Sequence, residues 1–273
     1  MVRREQLEIQ GPARTASYPP VPISPGPSLR RGSLAEEIGI GELVFTCRLS
    51  PDTSRPAGNT RILMQTTLRF IAAAIGFIAL VLQFVLEVRL PRGPGLFGST
   101  VNFFSYFTVL ANCAAALAML VPLIAPASRL GRFLSLPSVR TAIAGYLLIV
   151  GGTYLFFLRH VGNDPGLERV ADQLMHYVMP VLFMIDWLAF VPKGHVPWTM
   201  IWISLLPPLV YGLWTIVHGA TTGWYPYPFV DMRSVGYQEG LLNMAGFLAV
   251  FIAVELALVL IDRLVGSVQQ SGR

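Results

Sequence analysis

The chain has 273 residues, of which 53% are hydrophobic and only 13% are charged, and its formal net charge is +5. Soluble globular domains carry about 25% charged residues, so this composition excludes an ordinary soluble domain and indicates a chain that lies largely in a lipid bilayer. The basic excess indicates membrane topology rather than nucleic-acid binding, because the basic residues cluster in the predicted loops and in the amino-terminal part.

Residues 1–63 differ in composition from everything after them. The stretch SYPPVPISPGPSLRRGS, at 17–33, is rich in Pro, Gly and Ser, and such a segment does not bury enough apolar surface to offset its chain entropy. One interpretation is a disordered cytoplasmic tail that includes Cys47. The other is that Met64, just before the first apolar segment, is the true start of translation. The sequence leaves both interpretations open.

Six apolar segments follow, and each is long enough to cross a membrane. A hydrocarbon core of about 30 Å requires about 20 apolar residues per helix, and none of the segments has the alternation of a membrane β-strand. The sequence therefore predicts an all-α, six-helix transmembrane domain at 64–265, followed by a short tail at 266–273. The predicted spans are roughly 66–88, 101–126, 139–159, 170–191, 198–218 and 240–262. Pro180, Pro207 and Pro208 predict kinks in the fourth and fifth spans.

The distribution of basic residues near the span ends predicts the orientation. Cytoplasmic loops carry an excess of Lys and Arg, which favours both termini in the cytoplasm. We expect the protein to lie in the plasma membrane. The side predicted to be cytoplasmic carries Arg61, Arg69, Arg129, Arg132, Arg140, Lys193, Arg263 and Arg273, against Arg89, Arg92, Arg159, Arg169 and Arg233 on the other.

Polar residues inside the spans require an explanation, because an ionisable group at the centre of a membrane helix costs about 2.5–3.5 kcal/mol on insertion scales. Thr108 lies about seven residues, and His176 about six, below the outer ends of the second and fourth predicted spans. At 1.5 Å per residue both lie roughly 10 Å deep. If these spans are neighbours, hydroxyl and imidazole meet at the same level.

Asp172 precedes His176 by four residues and shares its helical face. A carboxylate there is expected to bind one ring nitrogen and leave the other as a base, which is how an imidazole activates a hydroxyl nucleophile. The structural alternatives are that Thr108 bonds the carbonyl four residues before it and that His176 makes an ordinary interhelical hydrogen bond.

Further candidates surround this pair. Asn112, one turn below Thr108, is a candidate oxyanion donor and substrate contact. His218, Trp224 and Tyr225 are candidate substrate contacts at the outer end, although His218 is also consistent with an ordinary surface histidine. The loop GATTGWYPYPFVDMRSVGYQEG also contains Tyr227 and Phe229, and its aromatic residues suit either an interfacial belt or a cap over a pocket.

Asp186 and Glu255, deeper in the fourth and sixth spans, are consistent with interhelical contacts or with the wall of a polar cavity. The sequence has no HExxH motif, Cys/His ligand cluster, phosphate-binding glycine loop or GxSxG elbow. We therefore expect no metal, no other cofactor, and neither nucleotide nor nucleic acid as a partner.

Three segments, FFSYFTVLAN, ADQLMHYVMPVLFMIDW and TGWYPYPFVD, resemble in this order three segments of the androgen-induced-gene family of multi-pass membrane proteins, and the chain is most similar to its bacterial branch. The resemblance covers about residues 66–262. Animal members are threonine hydrolases that cleave fatty acid esters of hydroxy fatty acids. The resemblance implies a nucleophile at Thr108 and a base at His176.

The leading hypothesis is a membrane-embedded lipid-ester hydrolase whose partners are membrane lipids, among them branched fatty acid esters. The alternative is a non-enzymatic membrane protein, such as a small transporter or a structural or signalling component. A continuous polar track from His176 and Asp186 to Glu255 would favour transport. The sequence does not indicate an oligomeric state.

Overall fold

The computed structural model describes residues 56–89, 95–159 and 166–271, which are helical apart from their turns and loops and contain no strand. Six helical stretches are long and apolar enough to cross a membrane, which confirms the predicted all-α, six-span architecture of an integral membrane protein. These spans are Gly58–Val88, Phe107–Ile124, Pro137–Leu158, Leu167–Phe190, Met200–Thr222 and Tyr237–Gln269.

Several spans combine shorter helices, and the connections contain others. The α-helices are α1 Pro56–Val88, α2 Gly95–Phe104, α3 Phe107–Ile124, α4 Arg129–Ser135, α5 Pro137–Thr153, α6 Leu167–Gln173, α7 Met179–Phe190, α8 Met200–Ile203, α9 Leu206–Thr222, α10 Met232–Val235 and α11 Tyr237–Ser271. π-Helical turns at Tyr154–Leu158 and Leu174–Val178 continue α5 and join α6 to α7, and a 3-10 turn at Pro228–Val230 lies in the loop before α10.

Both ends of the transmembrane domain extend beyond the predicted limits. Helix α1 begins at Pro56, so 56–63 are helical rather than part of the tail, and the rest of the predicted tail, with Cys47, lies outside the described residues. Helix α11 continues to Ser271 through most of the predicted carboxyl-terminal tail. Contacts at this end explain the extension, because Asp262 accepts hydrogen bonds from the loop amide of Gly194 and Gly266 packs on that glycine.

The prolines of the fourth and fifth spans lie in different settings. Pro180 lies inside the continuous helical stretch of the fourth span, where the π-helical turn passes into α7. Pro207 and Pro208 lie in the first turn of α9, after a break at Ser204. A proline in the first turn of a helix loses no backbone hydrogen bond, because the amides there have no intrahelical partner.

Small residues allow the spans to approach closely. The second span packs between the first and third spans through buried alanines such as Ala111, Ala115 and Ala118. A Cβ added at Gly145 of the third span would lie 2.2 Å from Oε1 of Glu255, which is fully buried in the sixth span. Glycine at this position therefore lets the two helices pack around the carboxyl group.

A buried ion cluster joins the first, third and fourth spans at the end of the bundle opposite Thr108. Asp186 is fully buried, and its oxygens lie 2.6 Å from Arg69 Nε and 2.5 Å from Arg140 Nη2. Arg140 also donates to the carbonyl of Ala118 in the second span at 2.8 Å. The cluster therefore connects four of the six spans, and Asp186 has an interhelical role rather than a place in the candidate site.

Replacing Asp186 by Asn should destabilise the protein strongly, because the buried Arg140 and the partly buried Arg69 would lose their counter-charge. We expect the free energy of unfolding to fall by about 3–5 kcal/mol, measured by SDS-induced unfolding from detergent micelles. Glu239→Gln is the matched control, since Glu239 is exposed in the first turn of α11. Equal stability of the two variants would contradict a stabilising role for the cluster.

Candidate functional site

The helix that carries Thr108 begins immediately before it. Helix α2 ends at Phe104, Ser105 forms a turn, Tyr106 has an extended backbone, and α3 starts at Phe107. The predicted span at 101–126 is therefore divided, and Thr108 is the second residue of its helix rather than seven residues into a continuous one. The prediction was wrong here because contacts with the rest of the bundle, not local composition, hold the break.

The fifth span supplies these contacts. Tyr211 donates to the carbonyl of Ser105 at 3.0 Å, Trp214 Nε1 donates to Ser105 Oγ at 2.9 Å, and His218 Nε2 lies 3.1 Å from Asn102 Oδ1. Residues three and four apart share one helical face, so α9 holds the break with a single stripe of side chains. His218 is buried and stacked on Trp214, which corrects the surface-histidine interpretation.

Thr108 and His176 are brought together as expected from their predicted depths. Thr108 Oγ1 lies 3.4 Å from His176 Nε2, and both residues are buried. His176 lies in the π-helical turn of the fourth span. Close packing of the third span supports this turn, because a Cβ at Gly151 would lie 3.0 Å from the carbonyl oxygen of His176.

Asp172 contacts His176 through its backbone rather than through its carboxylate. His176 Nδ1 lies 2.9 Å from the carbonyl oxygen of Asp172, whereas the nearest carboxylate oxygen is 3.8 Å away, beyond hydrogen-bond distance. The expected carboxylate–imidazole hydrogen bond is therefore replaced by a bond to the main chain. The ring of Tyr154 stacks on the imidazole of His176, and the two ring centroids are 4.2 Å apart.

This backbone contact determines the direction of the hydrogen bonds. A carbonyl oxygen only accepts, so in the neutral ring Nδ1 carries the proton and Nε2 is an acceptor. Thr108 Oγ1 then donates to His176 Nε2. The tertiary structure therefore orients the hydroxyl proton toward a base, which is the arrangement that activates an alcohol as a nucleophile.

Tyr227 is a site residue that the sequence analysis included only as one of several aromatic residues in the outer loop. Its hydroxyl lies 3.3 Å from Thr108 Oγ1 and accepts a hydrogen bond from the Thr108 amide at 3.3 Å. Because the Thr108 proton is directed at His176, Tyr227 is the donor in its bond to Thr108. Burial raises the pKa of Tyr227 above its ordinary value, so the phenol keeps its proton at neutral pH.

The other predicted site residues lie elsewhere. Asn112 donates to the carbonyls of Thr108 at 2.9 Å and Met175 at 3.3 Å, so its amide joins the second and fourth spans instead of facing the Thr108 hydroxyl as an oxyanion donor. Trp224 packs edge-on against Tyr106 and His218, and Tyr225 packs on Gly219. None of Asn112, His218, Trp224 and Tyr225 lines the cavity beside Thr108.

That cavity has a volume of about 340 Å³ and an almost wholly apolar wall, formed by the start of the second span, by the third, fifth and sixth spans and by the outer loop. Thr108 and Tyr227 line it, while His176 lies behind Thr108. Leu209, Leu213 and Leu241 line the cavity and are also exposed on the side of the bundle. The cavity therefore opens laterally between the fifth and sixth spans, toward the region that lipid occupies.

Polar groups do not connect the two ends of the bundle along the fourth span. Between His176 and Asp186, the buried residues of this span are Met179, Pro180 and Phe183. Asp186 is engaged in the ion cluster, and Glu255 packs against Gly145. Along the described fourth span, an apolar layer therefore separates His176 from Asp186.

Comparisons of the chain with known protein families, with curated proteins and with solved structures give no match. The interpretation of the site therefore depends on its geometry.

Replacing Trp214 by Phe should loosen the break before Thr108, because the hydrogen bond to Ser105 is lost. We expect a loss of about 0.5–1.5 kcal/mol in the free energy of unfolding and faster hydrogen exchange of the amides at 105–110. Trp202→Phe, at the exposed opposite end of the same span, is the control. The same exchange rates at 105–110 in both variants would show that Trp214 does not hold the break.

Proposed function

We propose that this integral membrane protein hydrolyses lipid esters, with Thr108 as the nucleophile and His176 as the general base. The observation that carries the proposal is the placement of the Thr108 hydroxyl between an oriented imidazole and an apolar cavity that opens toward lipid. The base lies on one side of the nucleophile and space for an ester on the other, which is the arrangement that acyl transfer requires.

The reaction proceeds by acyl transfer in two steps. In the first step, Thr108 Oγ1 attacks the ester carbonyl carbon as its proton passes to His176 Nε2, and collapse of the tetrahedral intermediate expels the alkoxide, which takes that proton and leaves as an alcohol. In the second step, water attacks the acyl-Thr108 ester as its proton passes to His176 Nε2, and collapse of the second tetrahedral intermediate returns that proton to Thr108 Oγ1. The carboxylic acid is released and the Thr108 hydroxyl is restored.

The substrate class follows from the cavity. Its apolar wall suits an acyl chain, and its lateral mouth lets a membrane lipid enter without crossing water. Fatty acid esters of hydroxy fatty acids, the substrates implied by the family resemblance, have an ester bond between two alkyl segments and belong to this class. The proposal places the protein in the plasma membrane with both termini in the cytoplasm, so that the site faces the outer leaflet.

Removing either member of the pair should abolish hydrolysis. We expect Thr108→Ala and His176→Ala each to lower kcat/KM for the 4-nitrophenyl ester of a long-chain fatty acid by about a thousandfold or more, and to lose labelling by a fluorophosphonate probe. Thr221→Ala is the matched control, since Thr221 is exposed in the fifth span and is not part of the cavity wall. Unchanged turnover in Thr108→Ala would rule out the mechanism.

Filling the cavity should change the preferred chain length. A Cβ added at Gly212, in the cavity wall, meets no atom within 4 Å, so the first side-chain atom of Gly212→Phe meets no clash. We expect kcat/KM for long-chain esters to fall about tenfold relative to short-chain esters.

Gly246→Phe is the control for this experiment, because Gly246 also has open space around it but is not part of the cavity wall. The same chain-length profile in Gly212→Phe and the unaltered protein would mean that acyl chains bind elsewhere.

A further inference from the structure

Two aromatic neighbours hold the Tyr227 ring in place. Its ring stacks on Phe229 at a centroid distance of 5.3 Å and packs edge-on against Tyr106 at 5.8 Å. Phe229 in turn stacks on Phe247 of the sixth span at 4.7 Å, and its carbonyl accepts a hydrogen bond from Asn243 at 2.8 Å. The outer loop therefore presents the Tyr227 hydroxyl to the start of α3 from a fixed position.

We propose that Tyr227 is a third catalytic residue, whose hydroxyl donates the hydrogen bond that stabilises the oxyanion formed when Thr108 attacks an ester carbonyl. This inference rests on the proposed hydrolase function and adds a group to its site. A donor that is already positioned where negative charge develops stabilises the transition state without reorganisation, and removal of one such donor lowers kcat by about 10²–10³-fold.

The position of the hydroxyl supports this role. Tyr227 lines the apolar cavity together with Thr108, so a carbonyl that approaches Thr108 Oγ1 from the cavity passes beside the phenol. The Thr108 amide donates to the Tyr227 oxygen, and a hydroxyl that accepts one hydrogen bond is a stronger donor of its own proton.

Other donors near Thr108 are engaged. The Asn112 amide donates to two backbone carbonyls, and the Tyr211 hydroxyl donates to the carbonyl of Ser105. Of the Asn112, Tyr211 and Tyr227 side chains, Tyr227 is the one whose polar atom lies within hydrogen-bond distance of Thr108 Oγ1.

The proposed step conserves protons. Before an ester binds, the Tyr227 O–H donates to Thr108 Oγ1. When Oγ1 bonds to the ester carbon and its proton moves to His176 Nε2, the former carbonyl oxygen becomes negatively charged and accepts the Tyr227 O–H bond instead. The phenol keeps its proton throughout, and the oxyanion loses its charge when the alkoxide leaves, so Tyr227 returns to its starting state.

The test compares the full-length protein with Tyr227→Phe, which removes the hydroxyl and keeps the ring. With a 4-nitrophenyl ester of palmitate in detergent micelles, we expect kcat to fall about 10²–10³-fold while KM changes less than about threefold. A trifluoromethyl ketone with the same acyl chain, which forms an anionic adduct with the nucleophile, should bind more weakly by a similar factor. Tyr225→Phe, in the same loop but outside the cavity wall, should behave like the unaltered protein.

Parallel assays of Thr108→Ala separate the two hypotheses. If Thr108→Ala is inactive and Tyr227→Phe keeps full turnover and inhibitor affinity, the Tyr227 inference is overturned and the proposed function stands. If Thr108→Ala remains active, both are overturned. Should Tyr227→Phe fail to fold, a fluorinated tyrosine at 227 replaces it: its phenol ionises at lower pH, so kcat should decline at lower pH than in the unaltered protein, and an unchanged pH profile would overturn the inference.

Discussion

One backbone carbonyl decides which chemistry the buried histidine is able to perform. The carbonyl oxygen of Asp172 accepts from His176 Nδ1, and this leaves Nε2 as the acceptor that faces Thr108. With the other tautomer the ring would present an N–H to the hydroxyl, and Thr108 would have no base. The contact lies at the start of a π-helical turn, where bonds to the carbonyl five residues back interrupt the usual α-helical pairing. Such turns are frequent at functional sites.

Buried polar groups are stabilised in different ways at the two ends of the bundle. At one end, Asp186 is paired with two arginines, because an isolated charge is too costly away from water. At the other end, Thr108, His176 and Tyr227 form a relay of neutral hydrogen-bonding groups in which each donor has an acceptor. Under the proposed mechanism charge appears there only during the reaction, and a site with little water makes its stabilisation by a fixed donor more effective.

The site is assembled from parts that are far apart in the chain. A break between α2 and α3 places Thr108 at a helix start, and the fifth span holds this break through Tyr211, Trp214 and His218. The outer loop then brings Tyr227 over the amide of Thr108, which lies in the first turn of α3 and has no intrahelical acceptor. The fifth and sixth spans make few contacts with each other, and the apolar cavity between them provides room for a lipid chain beside the hydroxyl.

The sequence by itself determined the six spans and singled out Thr108 and His176, because bilayer thickness sets the length of an apolar helix and polar residues within such helices stand out. It did not determine the break before Thr108, the use of the Asp172 carbonyl, the engagement of Asn112 or the choice of Tyr227 among several loop aromatics. These features depend on the rotation and height of each helix against its neighbours. Side-chain packing between the spans sets the rotation and the height of each helix. The helical periodicity of the sequence shows only which residues share a face of one helix.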